Sequence, residues 1–187
     1  MDLNTILDSV YPLPPLAKEL FNRYTNEVRL PKGSVLFQQH KIEKRIYFLK
    51  KGLVRAYART PDHEVTFWFG LEGAIVLSMK NYIKGEKSYE DIILLEDCIF
   101  YEIHSDILQS LFKTNIDIAN WGRKFAELEL IRTEERLIDL QFKTAKERYT
   151  DLITHHPDVI QRVALGHIAS YLGITQVSLS RIRAGIK

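Results

Sequence analysis

Near its C-terminus the chain runs Leu165-Gly-His-Ile-Ala-Ser-Tyr-Leu-Gly-Ile-Thr-Gln-Val-Ser-Leu-Ser-Arg-Ile-Arg183. Ile168, Ala169, Tyr171 and Leu172 have the spacing of one short helix. Gly173 follows at the C′ position, where positive φ costs glycine least. Thr175 then stands as the N-cap of a second helix. The methyl of Ala169 is small enough for that helix to cross closely. Ile168, Leu172, Ile174, Leu179 and Ile182 supply the core of the joint. The pattern is two short helices about a tight turn, a helix-turn-helix. A plain αα-hairpin is the structural alternative.

The second helix has two unlike faces. At about 100° per residue, Leu179, Ile182 and Ile186 point one way, and Val177, Ser180, Arg181 and Ala184 the other. The outward face is small and carries one guanidinium, which suits a major groove. Arg181 can donate two bonds to guanine O6 and N7, and Val177 can meet a thymine methyl. Gln176 can bond an adenine or a phosphate. Thr175, Ser178, Arg183 and Lys187 flank the face with phosphate-binding groups. Residues 142–187 hold seven basic and three acidic side chains, net +4, while the other 141 residues net −2. A basic end on a near-neutral body implies an anionic partner for that end.

Upstream, residues 116–141 contain no proline and one glycine, Gly122. Such a run makes a helix of about 39 Å at 1.5 Å per residue. Ile118, Trp121, Phe125, Leu128, Ile131 and Ile138 recur along one stripe of it. A helix this long exceeds what a small domain needs, so the stripe is assigned to a dimer seam. Packing on the chain's own β domain is the alternative. Thr144 caps a further helix over 145–155, and Pro157 blocks its extension.

Residues 28–103 have another texture. Short runs rich in β-branched and aromatic residues include Val35-Leu-Phe, Ile46-Tyr-Phe-Leu, Leu53-Val-Arg-Ala-Tyr-Ala, Val65-Thr-Phe-Trp-Phe, Ile92-Ile-Leu-Leu and Cys98-Ile-Phe-Tyr. Pro31, Gly33, Gly52, Pro61, Gly73 and Gly85 punctuate them. Many short strands with regular turn signals imply a sandwich or barrel. Alternation makes 53–58 a half-buried strand, with Leu53, Arg55 and Tyr57 on one face. The opening segment reads as helical, and Ser105 as the N-cap of a helix over 106–112.

With 187 residues, 45% of them hydrophobic and 27% charged, the chain can bury a sizeable core, which excludes wholesale disorder. The least charged long stretch, 65–79, has 15 residues and two glycines, too short and broken to span a membrane. Cys98 alone excludes an intrachain disulfide and a multi-cysteine metal or iron–sulfur site. The N-terminus lacks a basic region, so no secretory signal and a cytoplasmic location are expected. Glu90-Asp91 and Glu96-Asp97 read as turn residues, and His155-His156 as a solvated helix end. Cys98 and His104 lack a third catalytic partner. No enzyme, metal site or cofactor is expected.

These features together resemble the Crp/Fnr family of transcription regulators. The likeness is strongest over Ile168-Ala-Ser-Tyr-Leu-Gly-Ile-Thr175 and Leu179-Ser-Arg181; Gly33, Gly52 and Gly73 match more loosely. The resemblance implies an α+β chain. An N-terminal double-stranded β-helix (jelly-roll, cyclic-nucleotide-binding-like) domain would occupy 1–115. A dimerisation helix would occupy 116–141 and a small helix-turn-helix domain 142–187. It also implies a sequence-specific DNA-binding regulator acting as a homodimer. Its further partners would be RNA polymerase and an unidentified small-molecule effector, with no membrane.

Two departures from the family matter. Cyclic AMP binders supply a Gly-Glu pair for the ribose and an Arg-Ser or Arg-Thr pair for the phosphate. Counted from Gly73, those positions fall here on Leu77-Ser78 and Ser88-Tyr89. The effector pocket is therefore expected among Leu77, Ser78, Met79, Lys87, Ser88 and Tyr89, without cyclic AMP bound in the usual way. A buried phosphate would lack its bidentate partner, and Lys87 would bring only a point charge. At the DNA end, the family often shows Arg-Glu where this chain has Gln176-Val177, which implies a different target. The chain is also expected to lack a β-wing after the second helix. A ligand-binding signalling module that has lost DNA binding is the rival reading.

Overall fold

The computed structural model describes residues 1–61 and 63–185. They form two compact units, one of Met1–Ala56 with Phe69–Leu130, the other of Tyr57–Trp68 with Ile131–Lys187. This division differs from the expected three segments. The long helix is shared between the units, and a β-hairpin tip is grouped with the C-terminal helices.

The chain opens with helices α1 (Leu3–Val10) and α2 (Pro15–Tyr24). Asp2 caps α1 by accepting from the Thr5 amide at 3.0 Å, and Pro15 begins α2 at a position where its missing N–H costs nothing. Eight strands follow: β1 (Asn26–Leu30), β2 (Val35–Phe37), β3 (Arg45–Lys51), β4 (Val54–Arg59), β5 (Glu64–Gly70), β6 (Ile75–Val76), β7 (Asp91–Leu94) and β8 (Cys98–His104). A short helix, α3 (Met79–Lys84), lies between β6 and β7. The strands form two four-stranded sheets, ordered β1-β8-β3-β6 and β2-β7-β4-β5. β1 and β6 were not legible in the sequence, because one reads Asn-Glu-Val-Arg-Leu and the other has two residues; both sit at sheet edges.

The register of the first sheet sorts its side chains. Ile46 pairs with Ile103, Tyr47 with both Glu102 and Val76, and Phe48 with Tyr101 and Ile75. Alternation therefore puts Ile46, Phe48 and Ile103 on one face and Tyr47, Leu49 and Phe100 on the other. On the inner face Tyr47 meets the rings of Phe37 and Phe100 edge-on, at 5.9 and 5.5 Å. On the outer face Ile46, Phe48 and Ile103 join one apolar core with Ile6, Leu7 and Phe21 from the opening helices.

Helix α4 (Ser105–Thr114) and the 27-residue helix α5 (Ile116–Phe142) complete that core. Here the seam assignment is corrected. Ile118 and Trp121 are fully buried among the chain's own residues, so neither side chain is available to a second copy. The Trp121 indole lies 5.2 Å from Phe21 and donates to the Leu7 carbonyl at 2.9 Å. Phe125 stacks on Trp121 at 6.0 Å. The first turns of α5 are thus a core helix, packed before any partner is considered.

Three local expectations also change. α4 is capped by the His104 ring, which accepts from Asp106 N, and Ser105 is already helical. Pro157 does more than end α6 (Ala145–His155): it opens a new helix, α7 (Pro157–Arg162), as proline at a first turn can. β4 is not half-buried. Val54, Arg55, Ala56 and Tyr57 are all buried, so alternation fails as a guide where both faces are covered.

Gly52 joins β3 to β4 with φ +112°, and a Cβ there would collide with Cys98 Sγ. Gly52→Ala is expected to cost about 2–4 kcal/mol, combining left-handed strain with overpacking. A urea midpoint unchanged from the wild type would contradict this.

Candidate nucleic-acid interface and effector pocket

The last two helices are α8 (Leu165–Leu172) and α9 (Gln176–Ala184). Gly173 closes α8 in the left-handed region at φ +69°, and the Ile174 amide returns to the Ala169 carbonyl at 3.0 Å. Thr175 Oγ1 accepts from the Ser178 amide at 3.1 Å and so starts α9. Ile168, Ala169, Leu172 and Leu179 are buried, while Ile174 and Ile182 are half-buried. The inward faces of both helices are therefore used up by their own packing.

The outward side of α9 is open. Thr175, Gln176, Val177, Ser180, Arg181 and Arg183 are exposed, and Ser178 is half-buried. Two hydroxyls are partly engaged by their own helix. Ser178 Oγ lies 3.0 Å from Thr175 Oγ1, and Ser180 Oγ donates to the Gln176 carbonyl at 3.0 Å. Lys187 and Ile186 lie outside the described residues.

Three residues that sequence reasoning missed hold α8. Arg136 lies 3.9 Å over the Tyr171 ring and donates to the Tyr171 carbonyl at 2.8 Å. Arg148 donates to the Leu172 carbonyl at 2.8 Å. These are last-turn carbonyls, which have no partner within their own helix, and guanidinium is a strong donor to them. Ser170 Oγ donates to the Glu64 carbonyl at 2.8 Å and accepts from the Thr66 amide at 2.9 Å, joining the β4–β5 hairpin to α8. The charge count over 142–187 could not reveal that Arg148 is committed to the backbone. Such pairings join residues far apart in sequence and leave no local pattern.

The residues expected to form the effector pocket separate into three groups. Ser78 and Ser88 are buried side by side, with Ser88 Oγ donating to Ser78 Oγ at 3.0 Å. The Ser88 backbone is also tied to His40 and Lys41. Leu77 and Met79 instead line an apolar cavity of about 240 Å³ with Ile46, Ile75, Tyr82 and Trp121. Lys87 and Tyr89 are exposed. The structure thus brings the two serines together by a hydrogen bond and sends Leu77 and Met79 to another surface.

Arg55, Glu90 and Asp91 are buried in the same unit. The last two are therefore not surface turn residues. Asp91 accepts from the Gln39 amide at 2.7 Å and fixes the approach to β2–β7 pairing. Burial pushes the Cys98 thiol up to about 11, so it stays neutral and unreactive at neutral pH. His104 is spent on capping α4. Among the described residues there is no group of three potential metal ligands, and no helix is long and apolar enough to cross a membrane.

Further along α5 the side chains change character. Leu130, Ile131, Leu137, Ile138 and Phe142 are exposed large apolar residues, Phe142 at 79%. Leu130 and Leu137, and Ile131 and Ile138, are each one heptad apart, the spacing of a helix-pairing stripe. Leu128 is half-buried. Of the expected seam residues, Ile131 and Ile138 fall on this stripe; Leu130, Leu137 and Phe142 were missed.

Residues 27–115 match the cyclic nucleotide-binding domain family. No curated protein sequence matches the chain. Among solved structures, the c-di-GMP responsive global regulator CLP of Xanthomonas campestris is 19% identical, with a TM-score of 0.73 over 92% of this chain and 91% of that one. FixK2 from Bradyrhizobium japonicum is 20% identical, with a TM-score of 0.71 over 87% and 84%. A protein of Eubacterium rectale described as a transcriptional regulator of the Crp/Fnr family is 15% identical, with a TM-score of 0.74 over 93% and 85%. Two sheets closed over an aromatic centre, a long following helix and this likeness through most of the chain lead to one conclusion: the protein has the Crp/Fnr cyclic-nucleotide-binding type of fold.

Proposed function

We propose that this chain is a sequence-specific DNA-binding transcription regulator, that it acts as a homodimer, and that it has no enzymatic activity. The observation that carries the reading is the two-sided character of α9. Leu179 is buried beneath it, while Thr175, Gln176, Val177, Ser180, Arg181 and Arg183 are presented to solvent. α8 and α9 are the helix-turn-helix, and α9 is the reading helix. Arg181 reads a guanine, assisted by Gln176 and Val177; Thr175, Ser178, Arg183 and Lys187 contact phosphates.

The exposed apolar stripe of α5 supports the homodimer, with Ile131, Ile138, Leu130 and Leu137 facing the second copy. A twofold dimer offers two reading helices to half-sites about 34 Å apart. The setting of such a regulator is cytoplasmic, and RNA polymerase is a further partner. The test is binding to duplex DNA over a salt series, followed by selection of a preferred site. A reading helix with basic flanks gives affinity that falls steeply with salt. Salt-insensitive or absent binding would favour a ligand-binding module without DNA contact.

The sensor domain is degenerate towards cyclic AMP. The residues at the expected positions support this: Leu77-Ser78 bring no carboxylate for a ribose, Ser88-Tyr89 bring no guanidinium for a phosphate, and the two serines are hydrogen-bonded to each other. Calorimetry with cyclic AMP at millimolar concentration is expected to show no saturable heat. Micromolar affinity would overturn this part of the proposal.

A further inference from the structure

One compact unit contains both the later turns of α5 and the α8–α9 pair. Within it α5 uses different faces for different tasks. At about 100° per residue, Arg136 and Leu140 project about 140–180° away from Ile131 and Ile138. Ile131 and Ile138 are exposed on the apolar stripe. Arg136 and Leu140 instead meet the end of α8. The Arg136 guanidinium lies 3.9 Å over the Tyr171 ring and donates to the Tyr171 carbonyl at 2.8 Å. Leu140 Cδ2 is 4.0 Å from the place that a Cβ on Gly173 would take, so α5 also flanks the turn leading into α9.

The two contacts of Arg136 constrain different things. The hydrogen bond fixes how far the end of α8 stands from α5. Stacking of the planar guanidinium on the ring fixes the tilt of α8 about that point. Arg136 also reaches the Thr66 carbonyl at 3.4 Å, and Ser170 holds the Thr66 amide at 2.9 Å, so the β4–β5 hairpin braces both partners. The α8–α9 pair has its own core in Ile168, Ala169, Leu172 and Leu179 and does not need Arg136 to fold. Burial opposes the charge of Arg136, a cost that folding of the pair does not require.

Resting on the reading of this chain as a DNA-binding homodimer, we propose that Arg136 is a positioning residue. It sets the separation and tilt of the two reading helices, and with them the half-site spacing that the protein accepts. In a twofold dimer the seam fixes one α5 against the other, and Arg136 carries that relation across the helix to α8. One base pair more or less between half-sites shifts a half-site by about 3.4 Å along the duplex and about 35° around it. A stiff tether cannot follow that step, whereas a loosened one can. Arg136 is engaged by the chain's own ring and carbonyls, so it is no phosphate contact.

The test uses the full-length protein, an operator selected with the wild type, and duplexes with one base pair added or removed between half-sites. The wild type is expected to lose at least tenfold in affinity for either change. Arg136→Ala should reduce that penalty to threefold or less. Its loss from a guanine substitution within a half-site should match the wild type, and its salt slope should be unchanged; a phosphate contact would instead flatten the slope by about one unit. Tyr171→Leu leaves Arg136 its carbonyl but removes the ring, and should relax the spacing in the same direction. A second readout needs no DNA. Ala184 is exposed on α9 and Cys98 is buried, so Ala184→Cys takes a spin label selectively. The label-to-label distance across the dimer should be narrow, and its width should at least double in Arg136→Ala. Circular dichroism checks folding of each variant. A spacing penalty or a distance width that Arg136→Ala leaves unaltered would overturn the proposal. So would loss of half-site preference in that variant, which would make Arg136 a general structural residue. Absence of DNA binding by the wild type, with a narrow distance that Arg136→Ala broadens, would overturn the DNA reading and support the positioning role.

Discussion

Arg181→Ala is expected to abolish discrimination between a selected operator and random duplex while leaving the fold intact. Arg181 is exposed on the outward side of α9, and Leu179, which anchors the helix, is untouched. Folding stability should therefore move by less than about 0.5 kcal/mol. A bidentate arginine–guanine pair is worth about 1–3 kcal/mol of discrimination, and a homodimer uses two, so specific affinity should fall by about 30-fold to 20,000-fold. Non-specific binding should weaken far less, since it depends on total charge. Arg181→Lys should rescue little, because ammonium has no planar fork. A mobility-shift series at fixed salt separates these outcomes. Unchanged specificity in Arg181→Ala would mean that another residue reads the bases.

Trp121→Ala should have the largest effect on stability. The indole is buried against Phe21 and Phe48, stacks on Phe125, and donates from Nε1 to the Leu7 carbonyl. Its loss creates a cavity and removes one of the two hydrogen bonds to the Leu7 carbonyl, which the Tyr11 amide also reaches. Together these should lower unfolding free energy by about 3–5 kcal/mol, at any protein concentration. Had Trp121 been a seam residue, the loss would appear only as a concentration-dependent change in dimerisation. Equilibrium unfolding at two concentrations distinguishes the cases. A small, concentration-dependent effect would return Trp121 to the seam.

These two residues also show how far the sequence could be read. Around Arg181 nearly everything was local. Gly173, Thr175 and the helical spacing of Leu179 act within a few residues of themselves, so turn, cap and inward face were all legible. For Trp121 the pattern was equally clear, a helix with an apolar stripe. Which surface covers that stripe depends on Phe21, Phe48 and Leu7, which are remote in the sequence. Periodicity reports that a face is apolar, and it carries no information on its partner. The same limit hid the apolar cavity and the buried Ser78–Ser88 pair, because neighbouring residues 77–79 turn to different surroundings.

The sequence by itself determined the order of parts: opening helices, a strand-rich segment, a long helix and a capped pair of helices with a basic outer face. Propensity, capping and short-range periodicity act along the chain, and each of those parts is short-range in origin. Only the tertiary structure decided that the start of α5 is core while its later turns are left apolar and open. It also decided that Arg136 and Arg148 serve the α8 carbonyls, and that Leu77 and Met79 line an outer cavity. Those outcomes depend on burial between distant segments, where packing and desolvation choose among partners that the local sequence leaves equivalent.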